Sequence, residues 1–395
     1  MKKSVINSFL KLKSYCEKEN YKGWDPYDGL NSKIFQLTPL KYWYFPRLAW
    51  IQAFKRNPVN LRRLLLIPKE HNPKGIGLFL TGYCNIYKYV QQTGDDAFEN
   101  IEEIENKIHY LAELLISLQS REYSGACWGY NFDWQSRIFF QPKFTPTIVV
   151  TSFCANALFN AYEITGKDKY LNVAISSGSF IENDLNRTNI SNNQFIFSYS
   201  PLDNSQVYNA SLLGARLLAQ CYYYSQKKKW LDLSFNAADT IINKQNDNGS
   251  WKYGENKVQT WIDSFHTGFN LECIQDIINY TNSNKFNESL EKGLSYYLSN
   301  FFLTDGTPKY YNNKTYPVDI HSPAQLLVTL VKTNNLEKYK KFANSVLSWT
   351  IRNMQSSKGY FYYQLKPIVS SKIPYMRWAQ AWMFYGMSYY LKSYH

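Results

Sequence analysis

The sequence predicts an all-α fold: a closed ring of helix pairs behind an irregular, aromatic N-terminal segment. Three observations predict it. Apolar residues recur at helical spacing in stretches between residues 73 and 393, and the stretches come in pairs. The long loops after each pair carry a repeated anchor, Gly125, Asn193, Gly249, Gly306 and Gly359, at intervals of 68, 56, 57 and 53 residues. A period of this length built of helix pairs marks a helical array. The last stretch, Arg377-Trp-Ala-Gln-Ala-Trp-Met-Phe-Tyr-Gly-Met387, is apolar throughout. An open array would end on a polar capping repeat, so this one closes on itself.

Residues 1–70 read as a separate segment packing on the ring of residues 71–395. They hold Gly23-Trp-Asp-Pro-Tyr-Asp-Gly29 and Tyr42-Trp-Tyr-Phe-Pro-Arg47, and a helix is expected over Leu48 to Phe54. The ring helices are expected at 73–93, 96–119, 147–164, 167–182, 207–225, 228–245, 262–281, 284–302, 320–333, 335–354 and 375–393. Thr93-Gly-Asp95, Thr165-Gly-Lys167 and Thr333-Asn-Asn335 join partners through short turns. The N-terminal helix near 46–55 is the candidate for the sixth outer position. Aromatics follow each anchor within six residues, and the next first-of-pair helix then opens on a polar marker: Thr147, Asn209, His266, His321 or Arg377.

Composition narrows the function classes. The 34 Tyr, 24 Phe and 11 Trp suit a core with aromatic walls for a sugar. A net charge of +13 admits acidic partners, but the lysines are scattered and no nucleic-acid module is present. Six Cys without a C-x-x-C pair read as buried thiols in a reducing, cytoplasmic setting. Lys11 and Lys13 break the first apolar segment too early for a signal peptide, and no apolar run approaches the ~20 residues of a membrane span. No P-loop, Rossmann glycine run, G-x-S-x-G or Asp-rich pyrophosphate motif occurs, and no cofactor or metal is expected.

Helix starts carry unpaired N–H groups and the positive end of the dipole. If the inner helices start where the long loops gather, their polar markers converge on one funnel. The loop Cys127-Trp-Gly-Tyr-Asn-Phe-Asp-Trp-Gln-Ser-Arg137 offers Trp128 and Trp134 as stacking platforms and Asp133 with Arg137 as an acid–base or anion-binding pair. The stretch Trp261-Ile-Asp-Ser-Phe-His-Thr-Gly-Phe-Asn270 places Asp263 and His266 in a first helical turn beside Trp261. Asp319 and His321 repeat the arrangement one hairpin later, with Tyr310 preceding them. Asn209, Arg377 and Trp378 complete the ring of binding groups; Arg377 suits a carboxylate or phosphate. The competing structural roles are an N-cap for Asp263, a core position for each His, and ion pairs for Asp133 and Arg377.

This period resembles the (α/α)6 toroid shared by six-hairpin glycosidases, several polysaccharide lyases, sugar epimerases, and terpenoid cyclases and prenyltransferases. Gln245-Asn-Asp-Asn-Gly-Ser-Trp251 is similar to the cyclases' Gln…Gly-x-Trp repeat, a structural tie between outer helices and loops. Gly23-Trp-Asp-Pro-Tyr-Asp-Gly29, Phe132-Asp-Trp-Gln-Ser-Arg137, the 261–270 stretch and Arg377-Trp-Ala-Gln-Ala-Trp-Met-Phe384 resemble a prokaryotic toroid family associated with surface-polysaccharide gene clusters. The resemblance implies glycan metabolism and transfers no catalytic residue. The expected substrate is an oligo- or polysaccharide, acidic and lipid-linked forms included.

Three readings follow. Glycosidic hydrolysis needs two carboxyl groups about 5–9.5 Å apart, and Asp133, Asp263 and Asp319 offer several ways to form such a pair; this is the leading expectation. Epimerisation or β-elimination needs a base, an acid and a cation, roles that suit His266, His321 and Arg377 and resemble the toroid epimerases and lyases. A non-catalytic glycan-binding protein would use the same funnel.

Overall fold

The computed structural model describes residues 2–393. The N-terminal segment contains α1 (Lys2–Lys18), the short α2 (Lys33–Gln36) and α3 (Tyr44–Arg56). Five inner–outer pairs follow: α4 (Pro73–Thr93) with α5 (Ile101–Ser117), α6 (Ile148–Thr165) with α7 (Asp168–Asn183), and α8 (Tyr208–Ser225) with α9 (Lys228–Ile242). The others are α10 (Ser264–Thr281) with α11 (Asn287–Asn300) and α12 (His321–Lys332) with α13 (Lys340–Met354). The sixth inner helix starts as a π-helical turn, Met376–Ala381, and continues as α14 (Trp382–Lys392). Each inner helix packs on the next and α14 returns to α4, so the ring is a closed (α/α)6 toroid.

One local device ends five inner helices. Thr93, Thr165, Ser225, Thr281 and Thr333 each donate a hydroxyl to the carbonyl four residues back, at 2.7–2.8 Å. The following residue is left-handed: Gly94, Gly166, Gln226, Asn282 and Asn334, with φ between 51° and 65°. That conformation stops the helix and turns the chain outward.

A second device ties outer helices to loops. Gln245 donates to the carbonyls of Gly249 and of Ser289 on α11, while Ser289 Oγ donates back to Gln245 Oε1 at 2.8 Å. Gln355 does the same with Gly359 and with Ser8 on α1. Gly359 has φ 95°, and a Cβ there would lie 2.3 Å from the carbonyl oxygen of Lys11.

The sixth outer helix is therefore α1, a correction to the expected 46–55. Lys11 and Lys13 obscured an apolar stripe of Val5, Phe9, Leu12 and Cys16, all fully buried. Lys13 pairs with Glu17 and with Glu99 at the entry to α5, joining α1 to the first hairpin. The helix α3 instead lies over the loop face of the ring, where Leu48, Gln52 and Lys55 line a cavity.

Among the described residues, strands are confined to three two-stranded antiparallel pairs: the hairpins β1 (Trp134–Gln135) with β2 (Phe140–Gln141) and β3 (Arg187–Ser191) with β4 (Gln194–Phe197), and β5 (Val318–Asp319) with the sequence-distant β6 (Gln364–Leu365). All six cysteines are buried and unpaired.

Candidate active site

The starts of the inner helices are stitched to the loops beside them. The first free N–H groups at Ile148, Tyr208, Ser264, Ile320 and Met376 donate to the carbonyls of Tyr199, Tyr253, Tyr310, Tyr363 and Trp24, at 2.9–3.2 Å. These bonds satisfy orphan donors and set aromatic rings around the helix starts. The space they enclose is a cavity of about 990 Å³. Its wall includes Trp134, Arg137, Asn209, Trp261, His266, Tyr310, His321, Arg377 and Trp378. The funnel thus brings together nine of the thirteen residues singled out in the sequence.

The other four stand apart from the wall. Trp128 is fully buried and donates its indole N–H to the carbonyl of Leu115 at 2.7 Å, as Trp251 does to Ile241 at 3.0 Å. Both are repeat-equivalent core plugs, so Trp128 is no sugar platform. Asp133 accepts the backbone N–H of Lys143 at 2.8 Å and orders its loop, away from the cavity wall on which its expected partner Arg137 lies. Arg137 is exposed at the rim.

Asp263 and Asp319 lie behind the wall, holding residues that are on it. Asp263 caps α10 by accepting His266 N–H at 3.0 Å, and its other oxygen accepts the Trp261 indole at 2.9 Å and His266 Nδ1 at 2.7 Å. A carboxylate only accepts, so Nδ1 carries the proton. Nε2 of His266 is left without a protein partner on a ring that lines the cavity. Tyr253 stacks on Trp261 at 4.5 Å and meets the His266 ring edge-on at 4.6 Å, fixing the imidazole from the side.

Asp319 is fully buried and accepts from His321 N–H, the Trp378 indole and Gln364 Nε2 at 2.6–3.0 Å. Burial pushes its carboxyl up to about 6, against the pull of Gln364, the His321 amide and Trp378. His321 stacks on Phe265 at 4.3 Å and meets the Trp382 ring at a tilt at 3.9 Å, and neither ring nitrogen has a partner. Burial, with the charges of Lys74 and Arg377, holds it well below the usual histidine range. It is a neutral imidazole.

Arg377 is held bidentately by Asp25, at 2.5 and 2.8 Å, and its guanidinium lies 5.1 Å over the Tyr130 ring. Asp25 belongs to the Gly23–Gly29 motif, to which the sequence reading gave no role. The π-helical turn gives Ala379 and Gln380 a shared acceptor, Tyr375 O, where a plain helix was expected. Widened turns of this kind recur at functional sites.

Sequence reasoning missed Lys74. It stands at the start of α4, the one inner helix that received no polar marker, although Asn72-Pro73 signals that start. Its ammonium lies 4.2, 5.3 and 5.1 Å from the rings of Phe153, Phe269 and Trp382, with no carboxylate against it. Burial, then the charge of Arg377, push it well below the usual lysine range. Phe269 and Trp382 also border His321, so Lys74 and His321 share one aromatic floor.

The wall as a whole carries seven Lys or Arg side chains and, among the described residues, no Asp or Glu. No carboxylate pair spans it.

No protein-family model and no curated protein matches the sequence. Solved structures match its fold. Cellobiose 2-epimerase from Bacillus thermoamylovorans aligns with a TM-score of 0.63 at 14% identity, covering 82% of this chain and 89% of that one. An unsaturated glucuronyl hydrolase specific for heparin aligns at 0.61 and 14%, covering 98% and 96%. A polysaccharide lyase aligns at 0.58 and 8%, covering 99% and 97%. At these identities the likeness is one of fold, the six-hairpin toroid.

Proposed function

We propose that the protein is a carbohydrate-active enzyme that abstracts a proton next to the carboxylate of an acidic saccharide, leading to β-elimination or epimerisation. The observation that carries this is His266: oriented by Asp263, with Nε2 free, on a cavity wall rich in cations and lacking a carboxylate. Hydrolysis, the leading expectation from sequence, loses support because Asp263 and Asp319 engage donors behind the wall and Asp133 orders its own loop, instead of facing one another across a bond. The toroid neighbours, which include an epimerase and a polysaccharide lyase by name, are compatible with this chemistry.

In this reading His266 Nε2 takes the proton from the carbon beside the carboxylate. Lys74 and Arg377 stabilise the charge that spreads onto the carboxylate oxygens, the principal demand of such a step. Lys74 has no anion beside it and gains one when the substrate binds. For elimination, the electron pair forms the new double bond as the glycosidic C–O bond breaks; for epimerisation, a proton returns to the opposite face. The wall tyrosines are the available proton donors, while Asn209, whose Oδ1 is buried without a partner, accepts a hydrogen bond from a substrate hydroxyl. Trp261, stacked with Tyr253, and Trp134 offer faces for the sugar ring.

The test is to assay acidic and neutral oligosaccharides with the wild type, His266→Gln and Asp133→Asn. Acidic substrates are expected to turn over, His266→Gln to be inactive and Asp133→Asn to match the wild type. Wild-type turnover by His266→Gln overturns the reading.

A further inference from the structure

From the rim of the cavity we infer that its loop face docks on an anionic membrane surface. The inference stands independently of the chemistry proposed above.

Two properties of one segment carry it. Of the 20 large apolar side chains exposed on the described residues, nine belong to residues 34–66. Leu37 is 88% exposed, Phe45 78%, Leu64 73% and Trp43 57%. The same stretch, from Leu30 to Lys69, contains eight Lys or Arg and no Asp or Glu. Lys33, Arg56 and Arg63 are exposed among the apolar tips. An exposed apolar patch marks an interaction surface. Leu, Phe and Trp tips alternating with cations, without any acid, match the headgroup boundary of an anionic bilayer, where aromatic rings insert and Lys and Arg meet phosphates.

The patch continues around the mouth. The Tyr44 hydroxyl donates to the carbonyl of Arg137 at 3.0 Å, and Lys366 Nζ reaches the carbonyl of Arg56 at 3.4 Å. These bonds bring two loop tips against α3, and the tips expose Ile138, Ile368 (94%) and Val369. Among the described residues no helix is long and apolar enough to cross a membrane, so the contact is peripheral. It would turn the cavity mouth toward the headgroups, from which a lipid-attached saccharide reaches His266.

The test is flotation of the full chain with phosphatidylglycerol/phosphatidylcholine vesicles and with phosphatidylcholine alone. Leu37→Asp/Phe45→Asp and Lys33→Glu/Arg63→Glu serve as variants, with melting curves to show that each folds. None of the four positions lines the cavity. The wild type is expected to float with the anionic vesicles only, to be released at about 1 M salt, where the Debye length is about 3 Å, and each variant is expected to stay behind. The inference is overturned if the wild type ignores anionic vesicles or the variants float as it does. It is equally overturned if the patch proves to join two copies of the chain, seen as a doubled mass in solution that the Asp variant halves.

Discussion

Replacing Asp263 by Asn separates the structural duty of that residue from its duty to His266. Asp263 accepts three hydrogen bonds: the His266 amide on one oxygen, and the Trp261 indole with His266 Nδ1 on the other. Asn caps helices as well as Asp, so the bond that starts α10 survives through Asn Oδ1. The amide nitrogen replacing the other oxygen is a donor and meets two donors. His266 can yield by moving its proton to Nε2, and Trp261 cannot yield. The expected cost is one hydrogen bond to a charged acceptor, about 1.5–3 kcal/mol of stability. The cost to activity is larger. An Nε2–H imidazole has no lone pair facing the cavity, and loss of a positioned general base lowers kcat about 10²–10⁴-fold. KM should change little, since Asp263 is behind the wall. Nitrogen NMR of the five histidines reads the tautomer directly, with His266→Gln assigning the resonance. A variant that retains kcat within about threefold, against the factor expected of a general base, refutes the argument. So does a wild-type His266 already protonated on Nε2.

Three further outcomes follow. Lys74→Met should leave the protein at least as stable, because it removes a buried ammonium that has no counter-charge; calorimetric binding of acidic saccharides should weaken about 10–100-fold, the worth of a charge-assisted bond, while neutral ones bind unchanged. The Asp319 carboxyl, raised to about 6 in the fold from an ordinary 3.8, binds its proton more tightly folded than unfolded. Its stabilising contribution is complete below about pH 4 and is lost as pH rises through 6, by about 3 kcal/mol; urea titrations across that window should show the fall, and Asp319→Asn should flatten it. Gly359→Ala puts a methyl against Lys11 O at φ 95°. It should cost about 2–4 kcal/mol from backbone strain and overpacking, read as a lowered melting temperature, whereas Gly94→Ala, with no atom within 4 Å, should cost less.

The ring was legible because its repeat lies in the chain itself. The anchor residues, the aromatics behind them and the Thr or Ser turns closed by a left-handed residue recur from hairpin to hairpin. The helix starts that carry His266, His321 and Arg377 were visible for the same reason. What escaped was set by contacts across sequence distance. Helix α1 is amphipathic only once Lys13 has Glu99 as a partner 86 residues away. Asp25 finds Arg377 at a separation of 352 residues, and no local pattern announces that. The positions of Asp263 and Asp319 behind the wall escaped because composition names a carboxylate without saying which way it faces. The same two loops placed their histidines on the wall and their aspartates behind it. Trp128 shows the converse. Its equivalence to Trp251 in the repeat marked it as a structural plug, and that signal was present in the sequence.

The central claim is that a carbon-bound proton is lost to His266, and the most direct measurement is solvent-deuterium exchange. Acidic oligosaccharides are incubated with the wild type and with His266→Gln in deuterated buffer, and products are followed by mass spectrometry, ultraviolet absorbance and reducing-end assay. The account predicts deuterium at the carbon next to the carboxylate, or an unsaturated uronate, with the wild type and neither with His266→Gln. New reducing ends carrying neither deuterium nor a double bond would show hydrolysis and contradict it.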